Sequence, residues 1–198
     1  MVLSTSIDLG KRKLIGVVTG ILILNTLLVK NSLVWAKENH HKNAFKLTRL
    51  VTALRSINSI VCSNVAAELE KIPLKQTMYN LILRRASIGL SDASLLAAAI
   101  QETHQKYKLK LNTFSVSYNT KLTEKGFHIL LKSLPDDVRE FGAVGCGLND
   151  NGGRDILNFI KRSENLRLIC IEGNYFSEPM KSRIKGSVDN ILNCTLVI

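Results

Sequence analysis

The sequence predicts an α/β chain of short strand–helix units laid side by side: a short right-handed β-α superhelix with a parallel sheet on its concave face and a helical cap at its N-terminal end. Three observations predict it. Aliphatic side chains return at a fixed long interval through the second half of the chain. Each return ends in a turn-rich segment, and each turn leads into a stretch with helical periodicity.

The recurrence is explicit between residues 111 and 198. Leu111, Phe114, Val116 and Asn119 follow the order L-x-x-L-x-L-x-x-N. The order returns 27 residues later as Val138, Phe141, Ala143 and Cys146, and 28 residues after that as Leu166, Ile169, Ile171 and Asn174. A truncated copy reads as Ile191, Cys194 and Leu196. The fourth and sixth positions alternate along a strand, so Phe114 with Val116, Phe141 with Ala143, and Ile169 with Ile171 are expected to point to one interior. Asn at the ninth position can satisfy backbone groups where the chain leaves the strand. Cys146 stands there in the second copy, as a compact structural residue. A less regular copy precedes these: Leu81, Leu83 and Ala86, then a helix from Leu95 to Gln105. A register that buried Arg85 is rejected because an unpaired buried guanidinium is costly. The 33 residues from Ala86 to Asn119 imply an insertion around Lys106–Lys110.

The helical halves follow their turns. Thr123-Glu124-Lys125-Gly126 leads to Phe127, Leu130, Leu131 and Leu134. Asn149-Asp150-Asn151-Gly152 leads to Ile156, Leu157 and Ile160. Ser177-Glu178-Pro179 leads to Met180 and Ile184, with Pro179 suited to a first helical turn. Upstream, Phe45, Leu47, Leu50, Val51, Leu54 and Ile57 form one amphipathic stripe. Val61, Val65, Ala66, Leu69 and Ile72 form another, closed by Pro73. Such helices suit the cap that a first unit requires. The expected organisation is residues 1–36 as a leader segment, 37–78 as the helical cap and 79–198 as the repeats.

With these motifs, and the turn Cys146-Gly147-Leu148-Asn149-Asp150-Asn151-Gly152-Gly153, the chain resembles the leucine-rich repeat proteins of the ribonuclease-inhibitor-like class. The resemblance covers about 120 residues. The stretch from Asn165 to Asn174 is similar to repeats of bacterial members, some of which are effectors delivered into host cells. The resemblance implies a leucine-rich repeat solenoid whose concave sheet holds a protein partner. The chain departs from the family in its short array and in lacking the ladder Asn in two copies.

Composition agrees with an aliphatic stack. Hydrophobic residues make up 45% of the 198 positions and aromatics only 6%, so Leu and Ile carry the core. The net charge of +11 is spread over predicted helix faces as single Lys and Arg residues, with +3 in residues 1–36. It forms no basic run interleaved with aromatics, so a solvated surface and not a nucleic-acid site is expected. Cys62, Cys146, Cys170 and Cys194 form no C-x-x-C pair and have no His at zinc-ligand spacing. No metal and no cofactor are expected, and the thiols read as free.

Residues 1–36 admit three readings. Lys11-Arg12-Lys13, the apolar run from Leu14 to Val29 and the small residue Ala36 fit a cleaved secretory signal. A hydrophobic anchor is the second reading, although the 16-residue run at 14–29 is shorter than the roughly 20 needed for an upright span. A buried N-terminal element is the third. Export or secretion is accordingly expected, with a cytoplasmic or membrane-anchored protein as the alternative. Four unpaired cysteines count against an oxidising compartment.

The functional expectation is a protein-binding scaffold and not an enzyme. Sheet positions between the inward residues face the concave side, among them Ile82, Arg84, Arg85, Thr113, Gly142, Val144, Leu168 and Cys170. The residues expected to contact a partner are Arg84, Ser115, Ser117, Tyr118, Glu140 and Glu172, with Arg84 and Tyr118 as anchors. An ordinary solvated face is the alternative. Catalysis would need a nucleophile, a base and an orienting group together. Cys146 is the only suggestive nucleophile, and His128 falls in a helical half. A third expectation is a homodimer through residues 191–198, an apolar strand with nothing polar after it.

Overall fold

The computed structural model describes residues 46–73 and 75–198. The expectations for residues 1–36, including the apolar run at 14–29, lie outside the described residues. Among the described residues no helix is long and apolar enough to cross a membrane.

The predicted apolar stripes form two helices, α1 over residues 46–56 and α2 (Ile60–Glu70). Leu47, Leu50, Leu54, Cys62, Ala66 and Leu69 are their buried residues at three- and four-residue spacings. Strands and helices then alternate: β1 (Met78–Ile82), α3 (Leu90–Tyr107), β2 (Lys110–Ser115), α4 (Thr123–Ser133), β3 (Glu140–Gly142), α5 (Asp150–Arg162), β4 (Leu168–Cys170), α6 (Glu178–Val188) and β5 (Thr195–Val197). The five strands form one open sheet in sequential order, every pair parallel. Parallel neighbours require a crossover between them, and a helix supplies it each time.

Register fixes which side chains share a layer. Leu81, Phe114, Phe141, Ile169 and Leu196 lie in one row across the sheet. The first four of these are at most 1% exposed. Leu83, Val116, Ala143 and Ile171 are buried beside them, while the intervening strand residues are half-buried or exposed. One face of the sheet therefore packs on the helices and the other is open. The aromatic share of the core is concentrated at its centre, where Phe141 lies 6.4 Å from Phe114, 6.3 Å from Phe127 and 5.2 Å from Phe159 between ring centroids.

Three expectations need correction. In the last copy, Leu196 and not Cys194 pairs with Ile169, so the register sits two residues later than Ile191, Cys194 and Leu196 imply. A two-residue slide keeps every side chain on its face, so alternation alone cannot detect it. Helix α3 starts at Leu90, earlier than Leu95, because the Asp92 carboxylate accepts the Gly89 N–H at 2.9 Å and closes the first turn. The insertion near Lys106–Lys110 is not a loop. An 18-residue α3, against 11 residues in α4, absorbs much of it, and Lys108 ends the helix in the left-handed region at φ 54°. A register shift between Tyr79 and Asn80 accommodates one further residue at Asn112.

Caps tie neighbouring units together. Asn149 accepts the Asn151 N–H at 2.7 Å at the start of α5. Ser177 does the same for Met180 in α6, with Pro179 in its first turn. Gly153 lets α6 approach α5, since a Cβ there would lie 2.6 Å from Met180 Cγ. At the other end of the helices, the Arg162 guanidinium donates to the Leu131 and Leu134 carbonyls at the end of α4.

Asp150 bridges two units and makes stability depend on pH. Its carboxylate accepts the Ser177 backbone N–H at 2.8 Å and the Ser177 hydroxyl at 2.7 Å. These bonds, the backbone one first, hold its pKa below the ordinary carboxylate value. A depressed native pKa adds stability that is fully present above the unfolded value of about 4. That contribution is lost as pH falls through the native value. Asp150→Ala is therefore expected to be less stable than the parent at pH 6, with the difference shrinking to nothing on acidification. Urea melts at pH 6 and below pH 3 check this, and a constant difference would refute it.

Candidate functional site

The open face of the sheet is a grid whose columns are strands and whose rows are set by register. One row runs Asn80, Thr113, Glu140, Leu168 and Thr195, and the next runs Ile82, Ser115, Gly142, Cys170 and Val197. Beyond the strand ends the parallel pattern continues, with the N–H groups of Arg85, Tyr118 and Gly145 donating to the carbonyls of Ser117, Val144 and Glu172. A third row is thereby Arg84, Ser117, Val144 and Glu172. Five of the six residues expected from sequence, namely Arg84, Ser115, Ser117, Glu140 and Glu172, line one shallow depression on this face, together with Thr113, Phe141, Gly142, Val144, Leu168 and Cys170. Its volume of ≈ 240 Å³ falls below the roughly 300–1,000 Å³ typical of small-molecule pockets.

Local chemistry differs along the depression. Gly142 hollows its centre: a Cβ there would lie 2.9 Å from Ser115 Oγ. Ser115 and Ser117 hydroxyls are 3.2 Å apart, and Ser117 Oγ accepts the Val144 N–H at 3.1 Å. At 4% exposure Ser117 is a brace within the floor and not a contact residue, which corrects its expected role. The preceding strand positions had suggested that it alternates outward like Ser115.

At one end stands Tyr118, 37% exposed, with the Arg84 guanidinium 4.5 Å and the Arg85 guanidinium 4.9 Å from its ring centroid. Cations over an aromatic face are held by the ring quadrupole. Tyr118 has φ 62°, a left-handed conformation shared by Arg85, Gly145 and Gly173 at the matching position of their own units. Glycine at 145 serves twice, because a Cβ there would also lie 3.1 Å from two Tyr118 ring atoms. Arg85 was read only as a sheet-facing residue, not as a site residue. The 33-residue offset that aligns it with Tyr118 was the signal that could have promoted it.

The other end is acidic. Glu140 Oε2 accepts the Thr113 hydroxyl at 2.8 Å. Glu172 Oε2 is shielded from solvent and has no hydrogen-bond donor. Neither carboxylate takes part in an ion pair among the described residues. Cys170 lies between them, its thiol pushed up by burial first and then by the charges of Glu172 and Glu140.

The residues weighed for catalysis are engaged elsewhere. Cys146 donates its thiol hydrogen to the Val116 carbonyl at 3.3 Å, and burial raises its pKa. A protonated, buried thiol is a poor nucleophile. His128 Nδ1 lies 2.8 Å from Asp155 Oδ1, joining α4 to α5. Among the described residues no group of three or more His, Cys, Asp or Glu side chains is arranged to hold a metal ion. No family model matches the chain, and no curated protein matches it.

Proposed function

We propose that the chain is a protein-interaction scaffold, a leucine-rich repeat solenoid of the ribonuclease-inhibitor-like class that binds a partner protein through the open sheet face. It is not an enzyme. The observation that carries this reading is the single depression uniting Arg84, Ser115, Glu140 and Glu172, with Tyr118 and its two guanidinium groups at the rim. Aromatic and Arg side chains dominate interface energies, and here they stand on a sheet held in place by its neighbours. The solenoid reading is supported by offsets of 27 and 28 residues between paired strands and by Asn119 and Asn174, which each bond the preceding unit. Export, and action as a bacterial effector, belong to the same proposal.

A second reading is self-association through the outer edge of β5. Val197 is 41% exposed and Ile198 38%, and β5 pairs only with β4 among the described residues. An open apolar edge favours strand addition.

One experiment separates the readings. A photo-crosslinking residue is placed at Ile82 on the sheet face, at Asn158 on the helix face, or at Val197 on the edge, in the cell that makes the protein. The scaffold reading expects a discrete heterologous adduct from Ile82 and none from Asn158. The double variant Arg84→Ala/Tyr118→Ala should lose that adduct while keeping its melting temperature. Equal labelling from Ile82 and Asn158 would defeat the reading. A homodimer adduct from Val197 alone would favour the edge.

A further inference from the structure

We propose that the acidic end of the depression seats a basic side chain, Lys or Arg, of the bound protein segment, with Glu172 as its main carboxylate partner and Glu140 as the second. The inference rests on the protein-binding reading of this face and names the chemistry of what binds there. Its starting point is Glu172 Oε2, an oxygen withdrawn from solvent with no donor in reach. A carboxylate oxygen so placed is left incompletely satisfied, and a partner's N–H groups would complete it. Glu140 keeps capacity too, since its only recorded donor is the Thr113 hydroxyl.

The two carboxylates converge on one place. Both charges reach the Cys170 thiol, which lies between them on β4 and is raised in pKa by each. No Lys or Arg of the described chain answers them. Leu168 and Val144 line the same depression and offer apolar surface to the methylene stem of a long basic side chain. A divalent metal fits less well. Calcium takes six to eight oxygen ligands, and two carboxylates beside a protonated thiol do not supply that set.

Charge also sets direction. Arg84 and Glu172 occupy the same row three strands apart, about 14 Å at the usual strand spacing. A segment lying across the strands would meet guanidinium groups at one end and carboxylates at the other, so only one orientation places its basic residue on Glu172. The chain as a whole carries +11, which repels basic ligands in general. Preference for one would therefore come from this site and not from the overall field.

The test uses the full chain as bait for a random ten-residue peptide library displayed on phage, with Glu172→Gln and Glu140→Gln as isosteric variants that keep the packing. Clones are retained when the Arg84→Ala/Tyr118→Ala variant fails to bind them, which marks the sheet face. The expected result is enrichment of Lys or Arg at one position of these clones. Their synthetic peptides should bind Glu172→Gln at least tenfold more weakly, and the loss should shrink at high salt. Face-specific clones without basic enrichment, or with equal affinity for Glu172→Gln, would overturn the proposal and leave the face itself intact. If no clone depends on Arg84 and Tyr118, the binding-face reading falls, and this inference falls with it.

Discussion

Phe141→Ala is expected to lose about 3–5 kcal/mol of stability, the largest loss available from one apolar side chain in this fold. Phe141 is 1% exposed and stands where three other rings meet, with Phe114 nearly parallel to it and Phe127 and Phe159 tilted against it. Removing the ring takes away its own burial and also leaves a hole bounded by three stiff planes that cannot all move inward. Each aromatic pair contributes about 0.5–1.5 kcal/mol beyond area. Loss at β3 also uncouples units on both sides, since Phe114 comes from β2 and Phe159 from α5. For a chain of this size the melting temperature should fall by roughly 10 °C or more. Phe141→Leu, which keeps an apolar filler, should lose less than half as much. Tyr175→Ala serves as the control, because Tyr175 is 77% exposed and such surface changes stay within about 0.5 kcal/mol. Calorimetry in which Phe141→Ala and Tyr175→Ala melt alike would mean that this aromatic centre does not hold the sheet to the helices.

Much of that centre was legible in the sequence, and the limits of legibility are physical. The returns of Phe114, Phe141 and Ile169 follow from burial on one face of successive strands, and they are adjacent in the sheet as their spacing requires. Leu196 was misplaced by two residues because period-two alternation is blind to a slide that preserves faces. The start of α3 depends on a single Asp92 side chain reaching back to Gly89, a contact that competes with nothing visible in a hydrophobic pattern. Ser117 was expected to face a partner, yet it is buried by what stands beside it. Gly142 on the next strand has no side chain to hold Ser115 and Ser117 apart, and the Val144 N–H takes the Ser117 hydroxyl. Both neighbours are at least 25 residues away in sequence, so no local reading of Ser117 contains them. The same long-range logic hid the convergence of Glu140 and Glu172 on Cys170, which needs two strands in register before it exists.

Asn119→Ala is expected to cost about 3–5 kcal/mol, for reasons unlike those at Phe141. Asn119 is 1% exposed, and its amide serves the unit before its own. Oδ1 accepts the Ile88 N–H at 3.0 Å, while Nδ2 donates to the Leu83 and Val116 carbonyls at 2.7 Å each. Alanine would strand three buried backbone groups, and each unsatisfied group costs about 1–3 kcal/mol unless water enters to replace the amide. Because the amide reaches backward, Ala86 in the first unit costs nothing: no strand precedes β1 in the sheet. Cys146 occupies the same position one unit later and does part of the work, its thiol donating to the Val116 carbonyl but accepting little. Cys146→Ala should therefore lose about 1 kcal/mol or less, and Cys146→Asn should gain by supplying the missing acceptor. The expected order of urea midpoints is Cys146→Asn, parent, Cys146→Ala and last Asn119→Ala. An Asn119→Ala midpoint no lower than that of Cys146→Ala would show that these side chains fill space and do not hold successive units together by hydrogen bonds.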